Sequence, residues 1–136
     1  MSDVVELTIP VRSDLLVLAR LTAAALASRA DFGIEDIEDL RLVVEELCLS
    51  VVGNETNGTI HLQYTRDDGL ITVGCSLSRE GGSDGRADGP ADGPADGEAN
   101  AMSLRIIEAL VDEYGENMVA DRRQAWIRKR RSKVAS

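Results

Sequence analysis

Apolar and polar residues alternate at two different periods along this chain, and the switches between them divide it into elements. Val4-Val5-Glu6-Leu7-Thr8-Ile9 is a short β-rich run stopped by Pro10, which lacks a ladder donor and marks a strand end. Ser13 then reads as an N-cap, and Leu15, Leu18, Ala19, Thr22, Ala25 and Leu26 recur at helical spacing up to about Ala30. Asp31-Phe32-Gly33 breaks that helix. A second opens near Ile34, with Glu35 and Asp36 in its first turn where acidic side chains favour the helix dipole, and runs to about Gly53.

Thr59–Tyr64 and Leu70–Cys75 each alternate with period two, and Asp67-Asp68-Gly69 between them has turn chemistry, which predicts a hairpin. From Ser78 to Asn100 the composition changes to Gly, Asp, Ala and Pro, with a near-repeat of Ala-Asp-Gly-Pro from Ala87. Such a segment has no apolar area to bury and is expected to be a flexible acidic loop. Helical spacing resumes from Ala101 to Tyr114 through Leu104, Ile107, Ala109, Leu110 and Val111, and Gly115 is placed to end it. Asn117–Ala120 and Gln124–Lys129 suit a closing hairpin. The order β, α, α, β, β, loop, α, β, β predicts one α/β (α+β) domain over residues 1–136. It is a two-layer sandwich with the helices on one face of a mixed, mostly antiparallel sheet.

Composition narrows the picture. A chain of 136 residues fits one domain, and with aromatics at 3% its core must come from Leu, Val, Ile and Ala. Cys48 and Cys75 each lie in an apolar stretch, which points to reduced, buried thiols and a cytoplasmic setting. No apolar run approaches the ~20 residues that span a bilayer, and the first residues lack the pattern of a signal peptide, so no membrane is expected as a partner. The net charge of −9 is uneven, because residues 121–136 hold seven Lys or Arg against Asp121. The acidic remainder repels phosphate, which argues against nucleic acid and for a basic protein surface as partner. The closing Arg122-Arg123 and Arg128-Lys129-Arg130-Arg131 suit an acidic partner or nucleic acid, and a solvated strand edge and tail explains them as well.

The second helix carries the candidate chemistry. At 100° per residue, Ile37, Leu40, Val44, Leu47, Cys48 and Val51 form a core stripe, while Leu42, Glu46, Leu49, Ser50 and Gly53 gather roughly opposite. Two leucines on that second side predict a groove with Glu46 and Ser50 one turn apart inside it. His61, the single histidine, falls on a strand and is expected to be hydrogen-bonded there. Cys48 is expected to pack.

Asp36 to Val52 resembles the corresponding helix of bacterial anti-sigma-factor serine kinases, members of the histidine-kinase-like (GHKL) ATPase superfamily, whose pattern is D-I-x-L-A-V-x-E-A-C-T-N-A-V. Leu7-Thr8-Ile9-Pro10 resembles the family's opening strand, Leu104–Glu113 its G-L-x-L-I-x-x-L-V-D-E helix and Ala125–Arg130 its closing strand. The resemblance implies a histidine-kinase-like ATPase fold, with residues 78–100 in the region of the ATP lid. It gives Glu46 the place of the general base and Ser50 the place of the Asn that holds magnesium. A hydroxyl is a weaker ligand for a hard cation than an amide carbonyl. Cys75 and Leu77 stand where the family has the Asp and Gly that meet adenine, and Ala101-Met102-Ser103 replaces a phosphate-binding G-x-G. The glycines of the loop are no substitute, because Glu80, Asp84, Asp88, Asp92, Asp96 and Glu98 among them would repel a triphosphate. Binding of ATP and Mg is therefore expected to be weak or absent.

The implied role is that of an anti-sigma factor in a stress response. It would sequester an RNA polymerase sigma factor and be displaced by a STAS-type antagonist. An active ATP-dependent serine kinase phosphorylating that antagonist is the alternative. A non-enzymatic regulatory scaffold, a homodimer formed through sheet edges or the first helix, is a further one.

Overall fold

The computed structural model describes residues 3–53, 55–78, 94–119 and 122–132, and the side chains of all of these except 94–100, 117–119 and 122–123. Five strands, β1 (Asp3–Pro10), β2 (Thr59–Asp67), β3 (Leu70–Ser78), β4 (Glu113–Val119) and β5 (Arg122–Arg130), form one sheet in the order β1-β2-β3-β5-β4. Three helices, α1 (Leu16–Arg29), α2 (Ile34–Val52) and α3 (Pro94–Leu110), join them. The architecture is the expected α+β arrangement, with one correction. All four strand pairings are antiparallel, so the described sheet is not mixed.

Strand periodicity explains the layering. Ile60, Leu62 and Tyr64 of β2, Ile71, Val73, Cys75 and Leu77 of β3, and Ala125 and Ile127 of β5 share one face and are buried there. The opposite face carries Thr8, His61, Gln63, Thr72, Ser76 and Arg128, polar residues that tolerate exposure. α1 buries Leu16 together with Ala19, Ala23 and Ala27, the alanines being small enough to let the helix lie close to the sheet, and the hydroxyl of Tyr64 donates to the Ala19 carbonyl at 2.9 Å. α2 is the central helix, packed against α1 on one flank and α3 on the other. Its core stripe is as expected, with Ile37 half-buried and Leu40, Val44, Leu47, Cys48 and Val51 buried. Val43, outside that stripe, is fully buried too, on the flank that carries Glu46 and Ser50.

Local chemistry sets the ends of these elements. Helix α1 is preceded by a 3-10 turn at Ser13–Leu15, and Ser13 makes no capping hydrogen bond, contrary to the N-cap expected of it. Its C-terminus closes in a Schellman arrangement: Asp31 takes φ 66°, its N–H bonds Ser28 O at 3.3 Å, and the Phe32 N–H bonds Ala27 O at 3.0 Å. The buried Phe32 ring seals that turn. Asp68-Gly69 forms the two-residue connection of the β2–β3 hairpin, with Gly69 at φ 69°.

Three boundaries differ from the periodicity. The acidic loop expected over 78–100 is shorter at both ends, because Ser78 closes β3 and Pro94 opens α3; residues 79–93 lie outside the described residues. Proline at a first helical position costs nothing, its missing N–H having no partner there anyway. Helix α3 ends at Leu110 rather than Tyr114, and β4 begins at Glu113. Gly115 is therefore no helix cap. It sits inside β4 opposite Trp126, whose ring lies only 2.7 Å from where a side-chain carbon would start.

Nor is the basic end a solvated edge. β5 is an interior strand, Lys129 is buried, and Arg131 donates to the Ala30 carbonyl at 2.9 Å. Arg128 pairs with Glu113 at 2.5 Å and lies 5.1 Å from the Trp126 ring centre.

Candidate functional site

Glu46 and Ser50 lie on the flank of α2 that meets α3. The Ser103 hydroxyl of α3 donates to Glu46 Oε1 at 2.8 Å, so the two helices are joined where the general base was expected. Ser50 is 1% exposed, and its hydroxyl donates to the Leu47 carbonyl at 2.9 Å one turn back. That bond is a common refuge for a hydroxyl inside a helix. Gly53 caps α2 with φ 57°, its N–H reaching the Leu49 carbonyl at 3.0 Å, so its role here is to end the helix.

Cys75 and Leu77 point into the core, at 3% and 7% exposure. Cys75 faces Cys48 of α2, and this thiol partner, with burial second, pushes its pKa well above the usual thiol value. Ala101 is on the exposed side of α3, while Ser103, two residues on, is buried against α2. Glu46 and Ser103 are thus brought into contact, with Ser50 one helical turn along from Glu46, while Cys75 and Leu77 are buried and Ala101 is exposed. Leu42 and Leu49, expected to line a groove, are 43% and 42% exposed on the outer side of α2, because the helix layer is one helix deep.

A shallow crevice beside this cluster, lined among others by Leu47, Ser50, Leu104, Ile107, Tyr114 and Trp126, encloses no space for even a water molecule. Among the described residues no three of His, Cys, Asp and Glu are grouped to hold a metal ion, and no helix is long and apolar enough to cross a membrane.

Two features escaped the periodicity. Asp36, buried at the start of α2, accepts from the backbone N–H and the hydroxyl of Ser132, both at 2.9 Å, and lies 3.7 Å from the ammonium of Lys129. Lys129 also donates to the Leu110 carbonyl at 2.9 Å, so one buried cluster ties α2, the end of α3 and the end of β5. A carboxylate in a first helical turn and a serine after a basic run were the available signals, but nothing local links positions 96 residues apart. The second is Arg20 of α1. It reaches Glu45 of α2 at 3.4 Å, and its buried Nε finds no hydrogen-bond partner among the described residues. His61, by contrast, is as expected, with Nδ1 2.9 Å from the Thr8 hydroxyl.

Comparison with known proteins adds the family. The histidine kinase-like ATPase domain matches residues 9–129. Among curated relatives, the serine-protein kinase RsbW of Listeria monocytogenes is 38% identical over 73 residues, 54% of this chain and 42% of the relative. RsbW of Halalkalibacterium halodurans is 33% identical over 64 residues, 46% of this chain and 40% of the relative. RsbW of Bacillus cereus is 32% identical over 69 residues, 51% and 38% respectively. These alignments span about two-fifths of the length of each relative. With nearly its whole length matched, the chain belongs to the histidine kinase-like ATPase domain family.

Proposed function

We propose that this chain acts as an anti-sigma factor that binds an RNA polymerase sigma factor by surface complementarity, is released by an antagonist protein, and has weak or lost affinity for ATP and magnesium. The observation that carries the reading is the Ser103–Glu46 hydrogen bond. It occupies the carboxylate in the general-base position with a side chain of α3, in the place where the family resemblance puts phosphates. The residues around it do not fit a magnesium nucleotide. Ser50 offers a neutral hydroxyl already engaged with a backbone carbonyl, and Cys75 offers adenine a core-facing thiol in place of a carboxylate. No chemical step is therefore routed through a nucleotide.

Mixing the purified chain with individual purified alternative sigma factors in the absence of nucleotide tests the proposal. A stable complex on gel filtration that blocks transcription from the cognate promoter is expected. Failure to bind any sigma factor of the source cell would defeat the reading.

A second reading has one observation in its favour, since the curated relatives are serine-protein kinases and Glu46 keeps the position of the base. In that reading the chain phosphorylates its antagonist. Titration calorimetry with ATP and magnesium separates the two: heat of binding at submillimolar nucleotide, with turnover lost in Glu46→Ala, favours the kinase, and silence at millimolar nucleotide removes it.

A further inference from the structure

Ser132 stands two residues beyond the end of β5, and Arg128-Lys129-Arg130-Arg131 lead into it without a break. The residue is exposed, yet its backbone N–H and its hydroxyl both donate to Asp36, each at 2.9 Å. An accessible serine is therefore held by a buried carboxylate. Basic side chains two and three places ahead of a serine, here Arg130 and Lys129, are the charge pattern that a protein kinase with an acidic substrate cleft selects. No other serine of the chain has basic residues at both places.

The segment is held by few bonds. Besides the two from Ser132 to Asp36, the Arg131 N–H donates to the Gly69 carbonyl at 2.8 Å and its guanidinium to the Ala30 carbonyl at 2.9 Å. Arg130 and Arg131 are exposed and offer their charge to an approaching acidic surface. Lys129 is buried, so a kinase that reads it must catch the strand end frayed back to that residue, and the frequency of this local opening sets the rate of modification.

We propose that Ser132 is a phosphorylation site, modified by a protein kinase that reads the basic residues ahead of it, and that the phosphate releases this segment from the start of α2. In the transfer, Ser132 Oγ bonds to the γ-phosphorus of ATP as the bond from that phosphorus to the β–γ bridging oxygen breaks. The hydroxyl proton passes to the catalytic carboxylate of the kinase, and ADP leaves. The product group carries a charge of about −1.5 to −2 beside the Asp36 carboxylate, and the proton that joined the two side chains is gone. Lys129, 3.7 Å from Asp36, supplies one positive charge, and the dipole at the start of α2 adds about half of one. Together they do not balance a carboxylate and a phosphate where the Asp36 and Lys129 side chains are almost buried. The phosphate therefore moves into water and takes both Ser132 bonds with it, while Asp36 keeps Lys129.

The inference is independent of sigma-factor binding, and a negative result here leaves that proposal standing. The full chain is incubated with ATP, magnesium and the catalytic subunit of cyclic-AMP-dependent protein kinase, a purified enzyme with this basic preference. Tandem mass spectrometry should find phosphate on Ser132, with incorporation lost in Ser132→Ala and reduced in Arg130→Ala; an unmodified Ser132 overturns the inference. The consequence is read separately by installing Ser132→phosphoserine during translation. Urea denaturation of that chain should show the folded-to-unfolded ratio lowered about tenfold or more, as expected for losing two hydrogen bonds to a carboxylate. Ser132→Ala, which keeps the backbone donor and adds no charge, should lose less. In an Asp36→Asn background the opposing charge is gone and phosphoserine should cost several-fold less. If Asp36→Asn does not fold, amide exchange decides, because the Ser132 N–H, once released, should exchange roughly tenfold faster or more in the phosphoserine chain than in the unmodified one. An unchanged folded-to-unfolded ratio, an equal loss in the Asp36→Asn background, or unchanged exchange at Ser132 overturns the inference.

Discussion

The Ser103 hydroxyl donates to the Glu46 carboxylate at 2.8 Å, fastening α3 to α2 at the position where the family's chemistry would begin. Ser103 is buried and Glu46 half-buried, so this bond is shielded from competing water on one side. Ser103→Ala is expected to lower unfolding free energy by about 1–2 kcal/mol, the usual cost of orphaning one partner of a charge-assisted hydrogen bond. Glu46→Gln keeps an acceptor and should cost less. Urea denaturation measures both; equal losses would show that the bond depends on the carboxylate's charge and not on an acceptor alone.

A larger effect is expected at the other end of α2. Asp36 and Lys129 have side chains only 11% and 9% exposed, and Asp36 also receives two donors from Ser132. Asp36→Ala leaves the Lys129 ammonium buried without its counter-charge, and removal of one member of such a pair costs about 3–5 kcal/mol. Asp36→Ala combined with Lys129→Met removes both charges and should cost less than the sum of the single changes. Additive losses in that double-mutant cycle would mean the two groups do not act on each other.

The contrast between these two sites explains how much was legible in the sequence. Fold class, the central helix and its core stripe follow from periodicity, because Leu40, Val44, Leu47 and Val51 obey one repeat within one element. The Glu46–Ser103 contact did not follow, although both residues stood among the candidates, since packing of α3 against α2 is a tertiary choice. The boundary at Leu110 was misplaced for a related reason. Val111 and Tyr114 extend the helical spacing, while the reason for a strand at Gly115 is the Trp126 ring across from it, 11 residues away. Asp36 and Ser132 were visible singly and meaningless until the fold closed.

That glycine yields a direct test. A methyl group at position 115 would start 2.7–2.8 Å from three atoms of the Trp126 indole, a distance that forces the ring or the strand to move. Gly115→Ala should destabilise the chain by about 1–3 kcal/mol, as overpacking does. Trp126 is the single tryptophan, so its emission maximum and near-ultraviolet dichroism report the displacement without interference. Unchanged spectra and stability would mean that the ring is not held over the glycine.

The core between α1, α2, β2 and β3 makes stability sensitive to alkaline pH. Burial raises the pKa of the Tyr64 hydroxyl above its ordinary 10.0, neighbouring Cys48 and Cys75 add to it, and a Thr22 hydrogen bond works against the rise. Cys75 is likewise raised above 9.0 by its Cys48 partner first and burial second. In both groups the native chain keeps a proton that the unfolded chain releases. Unfolding free energy is therefore level while pH stays below the unfolded-state values, and falls as pH climbs from about 9 through 10. Urea midpoints at pH 7, 8.5 and 10 should be alike for the first two and lower for the third. Tyr64→Phe removes the bond to the Ala19 carbonyl, costing about 1 kcal/mol at neutral pH, and with it one of the two titrations, so its decline should be shallower. The same burial predicts that an aromatic disulfide reagent at pH 8 modifies neither cysteine in the native chain and both in denaturant. Rapid native modification, or a midpoint that rises between pH 8.5 and 10, contradicts the packed thiol–phenol core.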